Sequence, residues 1–241
     1  GEKTFTCQHN SEHTYTEEVA IDENAHNYVD GVCTNGTCGA IDPNHYFEKT
    51  ISEVLAGNVD EKVKICIEMA AALGIKRAVL HPLGDNRMPA GEENHSFWYA
   101  KNIEYYNKYI PLADKAGFKL VTENMRDPHQ ASGCHRYGST ADELIELADL
   151  LGLEICWDFG HANEAKLDHY TELLKIGHRL TVTHFNDNWK GPEDEHLPPF
   201  YGTADWDAAC RALREIGYSN PLNFELKYKN LPIRIIPYAV E

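Results

Sequence analysis

An α/β fold built from parallel βα repeats is predicted by three observations. Five times after residue 57 a helical segment ends at a glycine and an apolar strand follows at once. The strands read as continuous apolar runs, as strands do when both faces of a parallel sheet are covered. They finish at His81, Glu123, Asp158, His184 and Glu225, so every one ends in an ionisable side chain.

The front of the chain does not share this pattern. Residues 1–46 hold Cys7, Cys33 and Cys38 with His9, His13, His26 and His45. Short alternating stretches, "HTYTEEVAI" and "HNYVDGVCT", read as strands, and no helical period is present. A small β-rich Cys/His module over residues 1–46 is expected, with the α/β domain over 47–241. "CTNGTC" is a C-x4-C pair on a turn. It suits a zinc- or disulfide-stapled module, or a loose leader with incidental cysteines.

The helices follow in order. "NVDEKVKICIEMAAALG" opens with Asn58 as N-cap and Glu61 at N3, a capping box. Val63, Cys66, Ile67 and Ala70 share one helical face, and Gly74 ends it. Strand "AVLH" follows. The second helix runs to Gly117 and is expected to be interrupted at Pro111; strand "KLVTE" follows it. Thr140 and Glu143 cap the third, which ends at Gly152 before "EICWD". The fourth ends at Gly177 before "LTVTH", and the fifth at Gly217 before "LNFE". An open doubly wound sheet and a closed barrel both satisfy this order. No glycine-rich phosphate loop follows any strand, which weakens the open nucleotide-binding form. Cys66, Cys156 and Cys210 read as buried small hydrophobes. Trp157 and Phe159 read as packing beside Asp158.

Composition narrows the function. The net charge of −16 argues against nucleic-acid partners, which need cations against phosphates. No apolar run approaches the 18 residues of a membrane span, so no membrane partner is expected. The chain opens at Gly1, and no signal peptide is visible in it.

In a barrel the carboxyl ends of all strands point to one mouth. Two histidines and three carboxylates would then converge. Mixed nitrogen and oxygen donors of this kind suit a divalent ion such as Mn, Mg, Co or Zn. Without one, the carboxylates would repel each other.

"VTEN", "WDFGHAN", "THFNDN", "DEHLPPFYGTADW" and "LNFEL" stand in an order and spacing that resembles the xylose-isomerase-like TIM-barrel superfamily, which holds sugar phosphate isomerases and epimerases and apurinic-site endonucleases. The resemblance covers residues 58–230. It implies a metal held by Glu123, Asp158, His184 and Glu225, with Glu123 and Glu225 also catalytic as base and acid. His161 matches a substrate-binding histidine. Lys190 falls where many epimerases carry an arginine for substrate oxygens, and His81 and His196 are further substrate-binding candidates. His81, Asp194 and His196 match additional metal ligands of the endonuclease branch. The stretch "YTEEVAIDENAHNYVDGVCTNGTCGAIDPN" resembles short Cys/Gly repeats of Firmicutes surface proteins.

The reading that follows is a metal-dependent isomerase or epimerase of a small sugar or sugar phosphate, working by proton transfer next to a carbonyl. A divalent metal would stabilise the negative charge of the enediolate. The alternatives are a metal-dependent phosphodiesterase of the apurinic-site endonuclease type, or a catalytically impaired barrel fragment. Members of this fold place three βα units before the "LHP" strand, whereas about five units are readable here. The barrel is therefore expected to be N-terminally incomplete, with an exposed edge that invites homo-oligomers. The resemblance implies a cytoplasmic protein; the Cys/His module would equally suit a secreted or cell-surface one.

Overall fold

A computed structural model describes residues 2–6, 14–18, 28–29, 32–33, 58–191 and 193–227. The chain divides into two compact units, Gly1–Ile65 and Cys66–Glu241. In the first, β1 (Glu2–Thr6) pairs antiparallel with β2 (Thr14–Glu18). A second antiparallel pair joins β3 (Tyr28–Val29) to β4 (Val32–Cys33). Cys7, Cys38 and the four early histidines lie outside the described residues, and the expected staple with them.

The second unit holds a parallel sheet of five strands in sequence order: β5 (Arg77–Val79), β6 (Lys119–Glu123), β7 (Glu154–Asp158), β8 (Leu180–Phe185) and β9 (Asn223–Phe224). It curls as an arc of a barrel that is incomplete among the described residues. The helices between strands are α2 (Glu92–Ala116), α3 (Ala141–Leu151), α4 (Phe159–Glu164), α5 (His169–Ile176) and α6 (Trp206–Glu215), while α1 (Val59–Ala72) precedes β5. None of the described helices is long and apolar enough to cross a membrane.

The caps are those the sequence predicts. Glu61 N donates to Asn58 Oδ1 and Asn58 N to Glu61 Oε2, each at 3.0 Å. Thr140 and Glu143 form the same reciprocal box on α3. Gly117 and Gly152 close α2 and α3 at φ of 84° and 69°, left-handed values that a β-carbon would strain. Two expectations fail. Helix α2 runs unbroken through Pro111. Pro111 and Asn107 both face solvent, so water can take the donor's place at the Asn107 carbonyl, while buried Tyr106, Tyr109 and Ala113 hold both halves. Cys66 is exposed, because the buried stripe of α1 runs through Ile67 and Ala70, and Cys66 sits about 100° round the helix from Ile67. Cys156 is buried as expected, and Cys210 is half-buried.

The inner face of the arc carries one apolar layer, Val121, Cys156 and Val182, with Val79 packed against it. Side chains two apart on a strand share a face. The residues two positions further along are His81, Glu123, Asp158 and His184. The apolar layer is thus the floor, and the ionisable layer stands on it at the carboxyl end. Between β7 and β8 the register is irregular: Ile155 opposes Leu180, but Cys156 opposes Val182, leaving Thr181 as an extra residue. Past that point Asp158 stands opposite His184.

Helix α5 buries His169, with no hydrogen-bond partner on either ring nitrogen. Burial lowers its pKa from 6.5 to about 4; Asp205, Asp168 and Asp187 oppose the shift, and Lys190 adds to it. The folded state therefore prefers the neutral ring, whereas the unfolded chain takes up a proton more readily. Stability is full above pH 6.5 and falls as pH drops toward 4, by about 3 kcal/mol from this residue. His169→Phe should lose less stability than the parent between pH 7 and pH 4.5 in urea titrations. Parallel losses in both proteins would count against this assignment.

Candidate metal centre

Four side chains from four consecutive strands meet at the mouth. Glu123, Asp158, His184 and Glu225 each offer a ligand atom within 4.8 Å of the others. Glu123 and Asp158 are fully buried, His184 is half-buried, and Glu225 is half-exposed just beyond β9. His184 Nδ1 lies 2.9 Å from Glu123 Oε1, 3.1 Å from Glu225 Oε2 and 4.0 Å from Asp158 Oδ2.

Each group is held from behind. Asp158 caps α4, its Oδ1 accepting from His161 N at 2.7 Å, while Oδ2 accepts from Asn186 Nδ2 at 2.6 Å. Asn124 clasps the Asp158 backbone from both sides, donating to its carbonyl and accepting from its amide. Gly160 is required at the start of α4, since a β-carbon there would overlap Asn186 Oδ1. His161 Nδ1 lies 2.8 Å from the Asn124 carbonyl oxygen. As a donor there, it leaves Nε2 turned to the mouth, 3.8 Å from Asp194 Oδ1.

The charges balance in a way that suits a cation. Burial pushes the Glu123 carboxyl up, but contacts with His184 and His81 prevail and bring it down to about 2. Burial holds Asp158 above the usual carboxylate range. Burial also opposes charge on His184, yet Cys156, Glu123 and Glu225 around it raise its pKa far above that of a free imidazole. The His184 contact lowers Glu225. In this arrangement a protonated His184 stands where three carboxylates converge. Glu123 Oε2 is buried, with His81 Nε2 at 3.2 Å beside it. A buried carboxylate beside two further carboxylates and an imidazole is a donor set that fits a divalent ion.

A second group brings His161, Asp194 and His196 within the same 4.8 Å limit. His196 Nε2 lies 2.9 Å from Asp194 Oδ2, and its Nδ1 lies 2.7 Å from the Glu225 carbonyl oxygen. Burial raises Asp194, but His196 and Lys227 overcome it and hold the carboxyl well below its ordinary range. The loop bearing these residues is fixed by buried Asp187, which accepts from Asn188 N, Phe200 N, Ala204 N and Trp206 Nε1.

Sequence and structure differ on membership. His81 was expected beside Asp194 and His196 but joins neither group; its Nε2 lies 3.2 Å from Glu123 Oε2. It sits two residues beyond β5, on the strand furthest in the sheet from the loop that carries Asp194. His161 takes the third place instead, a role its one-turn spacing from Asp158 did not reveal. Lys190 is exposed and belongs to neither group. Cys156 also reaches ligand distance of Glu123 and His184. Its position two residues before Asp158, on the same face, was the available signal.

The family described as xylose isomerase-like TIM barrel matches residues 43–240. An uncharacterized protein of Sinorhizobium fredii is 28% identical over 165 residues, 68% of this chain and 51% of its own length. The chain spans about half the length of the curated relatives it matches. Among solved structures, a D-tagatose 3-epimerase-like protein is similar at 22% identity and a TM-score of 0.61, covering 82% of this chain and 80% of its own. The IOLI protein with a binding zinc atom is similar at 22% identity and 0.55, covering 74% and 62%. At these identities the two structures show the fold, and the family match spans most of the chain: it belongs to the xylose isomerase-like TIM barrel family.

Proposed function

We propose that this chain is a divalent-metal-dependent isomerase or epimerase of a small sugar. The observation that carries the reading is the convergence of Glu123, Asp158, His184 and Glu225 at one point. The epimerase name carried by one similar structure, and the zinc in another, support it. A metal bound there supplies Lewis-acid stabilisation of negative charge on the sugar oxygens.

The chain's own residues do the rest. Glu123 and Glu225 approach from β6 and β9, on either side of Asp158 and His184. Both carboxyls sit below their ordinary pKa, so both are ionised near neutrality and able to accept a proton. One takes the proton from the carbon beside the carbonyl; the other, once it has taken up a proton from solvent, gives it back to the carbon, and the first then releases its own to solvent. His161 Nε2 holds a sugar oxygen, and His81 and His196 line the mouth as further hydroxyl partners. His184 stays a ligand.

Deuterium from solvent should enter a ketose at the carbon next to its carbonyl, in protein carrying about one equivalent of Mn, Co, Zn or Mg. A protein that takes up none of these ions, gains no thermal stability from them and exchanges no ketose overturns the proposal. One observation favours a second reading: the His161, Asp194 and His196 group offers a second ion site, as metal-assisted phosphodiester hydrolysis would use. Nicking of abasic duplex DNA without ketose exchange would establish that reading. The net charge of −16 opposes it.

A further inference from the structure

We propose that Arg136 binds an oxyanion carried by the substrate, a phosphate or a carboxylate on the sugar, at the mouth of the barrel; this deepens the isomerase reading and rests on it. Arg136 is a half-buried arginine whose Nε is buried without a hydrogen-bond partner, and it forms no ion pair among the described residues. Its neighbours in the fold behave otherwise. Arg126 grips Glu164 through two bonds of 2.6 and 2.7 Å, and Arg87 pairs with Asp85.

The side chain is placed, not loose. His135 on one side is clamped between Asp127 at 2.8 Å and Glu143 at 2.7 Å. Tyr137 on the other is fully buried and donates to Glu146 Oε1 at 2.8 Å. The stem of Arg136 lies across Gly84 in the loop after β5. A β-carbon on Gly84 would meet Tyr137 O at 2.7 Å, Arg136 Cγ at 3.1 Å and Arg136 Nε at 3.5 Å. That same loop carries His81, and Gly138, two residues after Arg136, packs against Pro82 next to it. The Gly138 carbonyl accepts from Met125 N at 2.8 Å, two residues beyond Glu123, so the segment bearing Arg136 lies at the end of the mouth where His81 meets Glu123. Burial works against its charge, and Asp127 and Asp85 sustain it without pairing with it.

The setting explains why such a cation is needed. The chain carries −16, and four of its carboxylates, Glu123, Asp158, Asp194 and Glu225, are gathered at the mouth. An anionic substrate would be repelled unless a fixed cation met its charged end. A guanidinium offers a planar fork that matches phosphate or carboxylate oxygens.

The test is calorimetric titration of the metal-loaded protein with three ligands: a ketopentose phosphate, the same ketopentose without phosphate, and a uronic acid. The parent should bind one or both anionic ligands about 10- to 100-fold tighter than the neutral sugar, the range of a charge-assisted pair. Which anion gains more identifies the group. Arg136→Gln should lose that preference and keep its affinity for the neutral sugar. If Arg136→Gln does not fold, Arg136→Lys carries the test: it keeps the charge, loses the fork, and should show a preference reduced several-fold. A parent that binds all three alike or none, or variants with the parent's preference, overturns the proposal. Binding is read without turnover. An intact preference with no ketose exchange would sink the isomerase reading and leave the anion site standing.

Discussion

Glu123→Gln is expected to lower the rate of proton exchange by roughly 100- to 10,000-fold, the contribution of a positioned acid or base. Bound metal should fall in the same protein. Two features make Glu123 the place for the largest effect. It is fully buried, so no water stands in for the lost charge. It also touches both His184 and His81, so neutralising it releases two imidazoles at once. Glu225→Gln should damage the rate to a similar degree and the stability less, because Glu225 is half-exposed. Elemental analysis and isotope exchange on the same preparations check both. A Glu123→Gln protein with normal metal content and normal exchange would remove Glu123 from the mechanism.

Asp187→Ala is expected to be the most destabilising single change in the loops of the mouth. It strands four donors, three backbone amides and the Trp206 indole, around a fully buried position. Leaving such groups unpaired costs about 3–5 kcal/mol. For a domain of this size that lowers Tm by about 10 °C. Asp187→Asn should fall between, since its amide nitrogen meets donors where an acceptor is needed. Both variants should also release the loop that carries Asp194 and His196, whose backbone is tied to Asp187 through the Leu197 amide and carbonyl. Urea unfolding and melting curves measure this. A loss below about 1 kcal/mol in Asp187→Ala would show that the network is not what holds the loop.

The repeat made the sheet legible, because helix, glycine and apolar strand are local signals and each is set by backbone chemistry close in sequence. The positions of Glu123, Asp158 and His184 were legible for the same reason: a strand end and a period of two place them without long-range knowledge. What could not be read depends on contacts between distant loops. His161 joins Asp194 and His196 only because α4 starts at its Asp158 cap and the loop after β8 folds back over Asp187. Arg136 is one cation in a loop, and nothing near it in sequence says that Gly84 lies beneath its stem. Pro111 misled because proline chemistry alone does not reveal which helix face meets water. Cys66 misled because four apolar residues on an arc define a stripe wider than the one that is buried.

The extra residue at Thr181 changes the parity of β8. In a regular strand Leu180, Val182 and His184 would all project from one side. Here Leu180 pairs with Ile155, and Val182 pairs with Cys156, whose side chain faces the opposite way. One strand thus serves two clients: its first half addresses the helices, its second half the mouth. Deleting Thr181 would make β8 regular with the same pairs and leave both halves as they are; flattening the bulge with Thr181 in place would force a choice between them, with either Leu180 turned inward or His184 turned out. The histidine's place in the centre is therefore written in the bulge as much as in its own identity.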